Sequence, residues 1–262
     1  SDLAYVPYGP VIEPEEEYKG QYLEELSESL KPYLPSETIL IRYDLSWESP
    51  WADEKNRYTE KNHWIGPPVP RIQEMRINFN TFNWNLRKSL SDNLPSNTLF
   101  INLKKKPETI LKKMKPKTRY NIRRSLRKGV EVAEVNKDEL PVWYELHKQT
   151  AARNGIVMSD IDFFYTMLKT NAQNTCSPAR IHLLLARHEQ KPLAGMFMAV
   201  SGKRATYLYG ASSNVKRNVM PAYALQWSAM KKAQKMGCKE YDMFGVSGID
   251  DPSHPMYGLY RF

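Results

Sequence analysis

The sequence predicts an α/β protein with mixed sheets, and three observations carry that prediction. Between Lys203 and Phe244 the chain reads strand, loop, helix, strand: Lys203-Arg-Ala-Thr-Tyr-Leu-Tyr-Gly210 is the first strand, and Lys239 to Phe244 the last. Ala222, Leu225, Ala229, Ala233 and Met236 fall on one helical face between them, with Pro221 suited to the first helical position and Gly237 to the end. The same order recurs in the first 45 residues, where Tyr5-Val-Pro-Tyr-Gly9 leads through Tyr22, Leu23, Leu26, Leu30 and Tyr33 to the strand Ile39 to Asp44. Strands and helices also alternate clearly from Val130 onward. Two copies of one parallel crossover unit imply two related α/β domains, each with its loop at the carboxyl end of a strand, where open sheets bind ligands.

The remaining elements follow in order. Leu45 to Asn97 is rich in Trp, Pro and Asn with weak periodicity, and reads as an irregular connection with short strands. Thr98 to Leu103 is a strand and Pro107 to Lys115 a short helix; Thr118 to Arg127 is a second helix closed by Gly129. Val130 to Val135 is a strand, Leu140 to Ala152 and Ile161 to Ala172 are helices, and Ile181 to Arg187 and Leu193 to Val200 are strands. With the crossover unit at the end, this gives the order β-α-α-β-β-β-α-β.

Composition bounds the classes of function. At 262 residues the chain accommodates two domains of ordinary size, and no apolar stretch approaches 18 residues. No secretory signal is visible at the amino terminus, so a soluble, cytoplasmic protein is expected. Cys176 and Cys238 form no metal-ligand spacing and read as structural thiols in a reducing compartment. The net charge of +9 is concentrated: Lys104 to Lys128 holds twelve Lys or Arg against the single acid Glu108, leaving the rest of the chain at −2. Such a segment favours polyanions, nucleic acid first and an acidic lipid surface second, because neutralising them releases condensed counterions.

Several strings, in order along nearly the whole chain, resemble the Fem family of tRNA-dependent aminoacyltransferases. They are Tyr5-Val-Pro-Tyr-Gly-Pro10, Lys115-Pro-Lys-Thr-Arg-Tyr-Asn-Ile-Arg123 with Lys128-Gly-Val-Glu-Val132, Tyr209-Gly-Ala-Ser-Ser213 with Arg217 and Pro221, Leu225-Gln-Trp227, Tyr241-Asp242 and Tyr257-Gly-Leu-Tyr-Arg-Phe262. The element order is also that of the GNAT acyltransferase fold. The resemblance implies two tandem GNAT-like domains, over 1–115 and 116–248, with 249–262 returning toward the first. It implies an aminoacyl-tRNA donor and a peptidoglycan-precursor acceptor, UDP- or lipid-linked, with peripheral contact at the inner membrane surface and a monomeric state. The first domain is incomplete against the family pattern, which places a Trp and a Lys upstream of the Tyr5 strand and a Lys after Phe262. No heptad segment follows Lys128, so the chain resembles members without a coiled-coil arm.

Candidate residues cluster in two places. In acetyl-CoA users of this fold, glycines after a basic residue expose backbone amides to the pyrophosphate. Here the run is Arg217-Asn-Val-Met220-Pro221-Ala222, in which Met220 adds bulk and Pro221 lacks an N–H, so a different acyl donor is expected and no cofactor is implied. Arg217 is the fork for a phosphate or carboxylate of the acceptor, with Tyr223 and Tyr209 offering rings and hydroxyls beside it. Tyr207 and Tyr209, two apart in a strand, are expected to share a face.

Lys115, Arg119, Arg123, Arg127 and Lys128 form a cationic helical stripe for tRNA phosphates, with Tyr120 and Ile122 turned elsewhere. Asp242 is the candidate to take up the amine proton, set against an ordinary capping role. His147 and His182 read as core residues, and His254 with Asp250 and Asp251 as a loop over the site. No Ser-His-Asp, Cys-His or zinc pattern is present. Two rival functions remain: an N-acyltransferase using an acyl thioester on a polysaccharide or amino sugar, and a non-catalytic nucleic-acid-binding protein.

Overall fold

In the computed structural model, which describes residues 2–60, 63–169, 178–247 and 257–262, the chain forms two units that part between Ser96 and Asn97. In the first, Asp2–Pro7 (β1) and Thr38–Asp44 (β2) pair in parallel, Tyr5 opposite Arg42, with Lys19–Leu30 (α1) as the crossover. The expected amino-terminal crossover unit is therefore formed. Tyr5 donates to Asp44 Oδ2 at 2.7 Å across the pair.

Leu45 to Asn97 departs from expectation. Among the described residues it contains no strand, only an isolated bridge between Tyr58 and Trp64, and it folds a helix at Pro70–Ile77 (α2). The helix has no apolar stripe to betray it in sequence; its only signal is Pro70 at the first helical position. Gly20 of α1 meets α2 so closely that a Cβ would stand 1.7 Å from the Ile77 carbonyl oxygen. Two buried polar side chains organise the chain beyond it. Glu24 accepts the amides of Phe82 and Asn83 at 2.6 and 2.7 Å, and Asn78 donates to the carbonyls of Glu74 and Leu86 while accepting the Leu86 amide.

The second unit is a six-stranded mixed sheet. Its strands are Phe100–Asn102 (β3), Glu131–Val135 (β4), Ala179–His188 (β5), Lys191–Ser201 (β6), Arg204–Ser212 (β7) and Glu240–Asp242 (β8), in the spatial order β3-β8-β7-β6-β5-β4. Only β7 and β8 are parallel, joined by the helix Pro221–Lys235 (α7). Residues 97–115, read from sequence as part of the first domain, belong here instead: β3 pairs antiparallel with β8, Phe100 opposite Asp242, a long-range contact that leaves no local signature.

Period-two alternation sends side chains to two cores. Leu184, Ala186, Met196 and Met198 join one cluster beneath α7 and the helices Pro107–Lys113 (α3) and Pro116–Arg127 (α4). Leu183, Leu185 and Phe197 join the other, with Trp143 of Leu140–Asn154 (α5) and Phe164 of Ile161–Lys169 (α6). The last helix, Tyr257–Arg261 (α8), brings Leu259 and Phe262 against the first cluster. Residues 249–256, the start of the segment expected to return toward the first domain, lie outside the described residues, as do Cys176, His254, Asp250 and Asp251; from Tyr257 on, the chain packs on the second unit's own core.

Candidate functional site

The loop after β7 is held from three places: α5, the turn between β5 and β6, and α4. β7 pairs with β8 only from Arg204 to Thr206 and then runs six residues further, to Ser212. Arg153 of α5 donates through Nη1 to the Ser212 carbonyl at 3.2 Å and to Asn214 Oδ1 at 2.6 Å, and through Nη2 to Ser212 Oγ at 3.0 Å. The Ser212 amide donates to Thr150 Oγ1 at 2.8 Å, and Ser213 Oγ to Gln149 Oε1 at 3.0 Å. Lys216 pairs with Glu189, and Arg124 of α4 donates through Nε to the Asn218 carbonyl at 3.1 Å. These ties hold Lys216 and Met220 at φ of 51° and 56°, a left-handed backbone that costs about 1–3 kcal/mol per residue.

Within this loop the amides of Val219, Met220 and Tyr223 donate to Lys216, Arg217 and Met220 carbonyls, and Pro221 has none to give. These three amides are therefore turned to the loop's own carbonyls, and Pro221 interrupts the row. Arg217 is exposed at the tip. Burial, and after it the positive charge of Arg217, pull the Arg153 guanidinium below its ordinary value, so two cations meet here.

The predicted acceptor residues do not form one cluster. Tyr223 packs against the core beneath α7, one ring face stacked on Phe262 at 5.2 Å and 28°. Tyr209 lies on the other side of the sheet among Phe163, Phe164 and Phe197, where burial raises its phenol. The expectation that Tyr207 and Tyr209 share a face is overturned by a bulge. Phe197 pairs with Tyr209 but Met198 with Tyr207, so Leu208 is the extra residue and reverses the alternation. Tyr207 turns into the first cluster, its hydroxyl occupying the space where a Cβ on Gly210 would sit, and burial pushes its phenol up to about 12.

Asp242 is 4% exposed and holds a turn: its Oδ1 accepts Thr98 Oγ1 at 2.5 Å and the Phe244 amide at 2.9 Å. Phe244 and Gly245 have φ of 46° and 99°, which ends β8 sooner than the sequence predicts.

The cationic helix shows a clear inside and outside. Thr118, Asn121, Ile122 and Ser125 are buried, while Arg123, Arg127 and Lys128 are exposed and Lys115 stands exposed before the first turn. Among the described residues Arg119, Arg123, Arg127 and Lys128 make no ion pair. Arg119 is partly committed to structure, donating to the carbonyls of Lys112 and Met114 at 3.1 and 2.6 Å at the end of α3. Tyr120, expected to turn away from the stripe, lies on it, 52% exposed, with Arg124 Nη1 donating to its hydroxyl at 3.1 Å. Sequence spacing missed Arg124 as well, because its role depends on the Asn218 carbonyl, 94 residues away.

His147 is buried and stacked on Trp143 at 4.8 Å, as a core residue, and burial lowers its pKa. His182 instead faces Glu134 Oε1 at 2.5 Å, and Glu134 also pairs with Lys232. Among the described residues no group of His, Cys, Asp or Glu has a metal-binding arrangement, and no helix is long and apolar enough to cross a membrane. Cys238 is a buried free thiol.

From β4 to β8 the second unit runs β-α-α-β-β-β-α-β, the order of a GNAT-like acyltransferase domain. The crystal structure of FemX matches 98% of this chain and 75% of its own at a TM-score of 0.70 and 18% identity, a likeness of fold. The FemAB family model matches residues 2–177 and 182–262, and the chain belongs to the FemAB family. It is 25% identical over 228 residues to the lipid II:glycine glycyltransferase of Staphylococcus haemolyticus (strain JCSC1435), covering 64% of this chain and 54% of that protein. It is 24% identical over 230 residues to the protein of the same name from Staphylococcus aureus (strain USA300), covering 64% and 55%. The chain thus spans about half the length of the curated relatives it matches.

Proposed function

We propose that this protein transfers an aminoacyl group from tRNA to an amine on the stem peptide of a peptidoglycan precursor. The observation that carries the reading is the outer face of α4, cationic, without acidic partners among the described residues, and tied through Arg124 to the loop at the end of β7. Family membership and the named relatives support the acceptor class. The engagement of the Val219, Met220 and Tyr223 amides within the loop, together with Pro221, supports a donor other than a coenzyme thioester held by its diphosphate.

The chemistry asks little of the protein beyond positioning. The acceptor amine attacks the ester carbonyl, an amide C–N bond forms, the C–O bond to the terminal ribose breaks, and the ribose oxygen leaves with a proton from the new ammonium. An aminoacyl ester is already activated, so holding the two ends together supplies much of the acceleration. Lys115, Arg119, Arg123, Arg127 and Lys128 face the donor phosphates, and the exposed Arg217 serves the acceptor, while Tyr223 and Tyr209, packed on opposite sides of the sheet, belong to the two cores. The Asp242 carboxylate serves as a turn cap, and the proposal routes no proton through it.

The direct test supplies tRNA charged with labelled amino acid and a muramyl pentapeptide, UDP-linked in one arm and lipid-linked in the other. Label is expected on the peptide in at least one arm. Absence from both, with the protein folded and the tRNA still charged, defeats the reading.

A further inference from the structure

A single groove runs along the outside of α4, lined by Pro116, Arg119, Tyr120, Arg123, Leu126 and Arg127. It combines the two features a single nucleic-acid strand requires, cations for successive phosphates and an open aromatic face for a base. The Tyr120 ring is exposed and held by the Arg124 hydrogen bond to its hydroxyl. Arg123 and Arg127 follow it one and two helical turns on, exposed and without an ion pair among the described residues. Arg124 also bonds the Asn218 carbonyl, so the same side chain that steadies the ring joins α4 to the Arg217 loop.

We propose that this groove holds an unpaired nucleotide of the RNA, its base stacked on Tyr120 and the phosphates on one side of it on Arg123 and Arg127. The inference rests on the tRNA donor proposed above and makes α4 selective for the single-stranded part of that donor over its duplex. An anionic lipid surface suits the helix less well. Membrane-surface helices bury a broad apolar face, whereas the apolar face of α4, with Ile122 fully buried, already packs on the protein core and leaves only Tyr120 and Leu126 outside.

The test measures anisotropy of a labelled short single-stranded RNA and of a blunt RNA duplex with the same number of phosphates, together with sedimentation on vesicles of anionic phospholipid. The protein is used whole, as wild type, Tyr120→Leu, Tyr120→Phe and Arg123→Ala. The wild type is expected to favour the single strand. Tyr120→Leu should weaken that binding by about tenfold, leaving the duplex and the salt dependence unchanged, while Tyr120→Phe, which keeps the ring, stays within about twofold of wild type. Arg123→Ala should weaken both RNAs. Equal binding of both RNAs regardless of residue 120 overturns the stacking site and leaves the tRNA reading standing. Binding of neither RNA overturns the stacking site, and the transfer assay then decides the tRNA reading on its own. Vesicle binding that Tyr120→Leu abolishes, with RNA binding untouched, assigns the groove to lipid and overturns the inference.

Discussion

The Tyr241 hydroxyl donates to Gln226 Oε1 at 2.7 Å inside the second unit, joining β8 to α7. Tyr241 is fully buried and Gln226 5% exposed, so neither group has water as an alternative partner. Burial, followed by the neighbouring Tyr207 and Asp242, holds the Tyr241 phenol well above its ordinary value, which keeps it a donor. Two strings that stood apart in the sequence, Leu225-Gln-Trp227 and Tyr241-Asp242, are thus one contact. It fixes the helix whose first turn follows the Arg217 loop.

Tyr241→Phe leaves the Gln226 carbonyl unpaired in the core, and an unsatisfied buried acceptor costs about 1–3 kcal/mol. Gln226→Leu should cost a similar amount by stranding the hydroxyl. The double variant is expected to recover part of the sum, because both polar groups leave together. Urea unfolding of the four proteins gives the coupling, and strict additivity would show that the bond carries no stability of its own.

Gly210 leaves the space that the Tyr207 hydroxyl fills. A Cβ at position 210 would lie 1.6 Å from that oxygen and 2.6 Å from the ring carbon bearing it, so the ring itself has to move. Gly210→Ala should lower stability by about 1–3 kcal/mol, the usual cost of overpacking. In a Tyr207→Ala background the same substitution should cost much less. Equal costs in both backgrounds would place the strain elsewhere.

His147 makes stability depend on pH with a definite sign. Burial lowers its pKa, so the unfolded chain takes up a proton that the folded chain refuses. Its contribution is fully present above the ordinary histidine value of 6.5 and is lost as pH falls through the lower, folded value. His147→Phe preserves a ring against Trp143 and removes the proton. Its unfolding midpoint should therefore gain on wild type as pH drops below 6.5, with little difference above. A constant difference across that range would show that His147 does not titrate on unfolding.

Local signals were legible and long-range ones were not. Pro221 opens α7 as expected, and Gly129 and Gly237 close their helices at φ of 78° and 87°, because each of these residues answers to its own backbone geometry. The parallel crossover units follow from such punctuation. Register does not: the extra residue at Leu208 reverses Tyr207 relative to Tyr209, and only the pairing with β6 reveals it. β3 joins the second unit through β8, a partner about 140 residues away that no local pattern names. The cationic helix was readable from charge alone, but the division of labour on it was not. Whether a given Arg caps a neighbouring helix, steadies a loop or faces outward depends on which carbonyls tertiary packing brings near.

That division of labour separates two kinds of arginine by experiment. Arg119 bonds the last carbonyls of α3, so Arg119→Ala should lower the stability to unfolding, by about 1–3 kcal/mol for charge-assisted bonds that are partly exposed. Among the described residues Arg123 and Arg127 bond nothing of that kind, and their alanine variants should unfold as the wild type does. In tRNA binding the order reverses. Each phosphate contact contributes about one unit to the slope of log affinity against log salt, so Arg123→Ala and Arg127→Ala should each flatten it by about one. Arg119→Ala, whose charge is already engaged by carbonyl dipoles, should flatten it less. A slope unmoved by either outward arginine would mean that α4 does not carry the RNA, whatever the transfer assay shows.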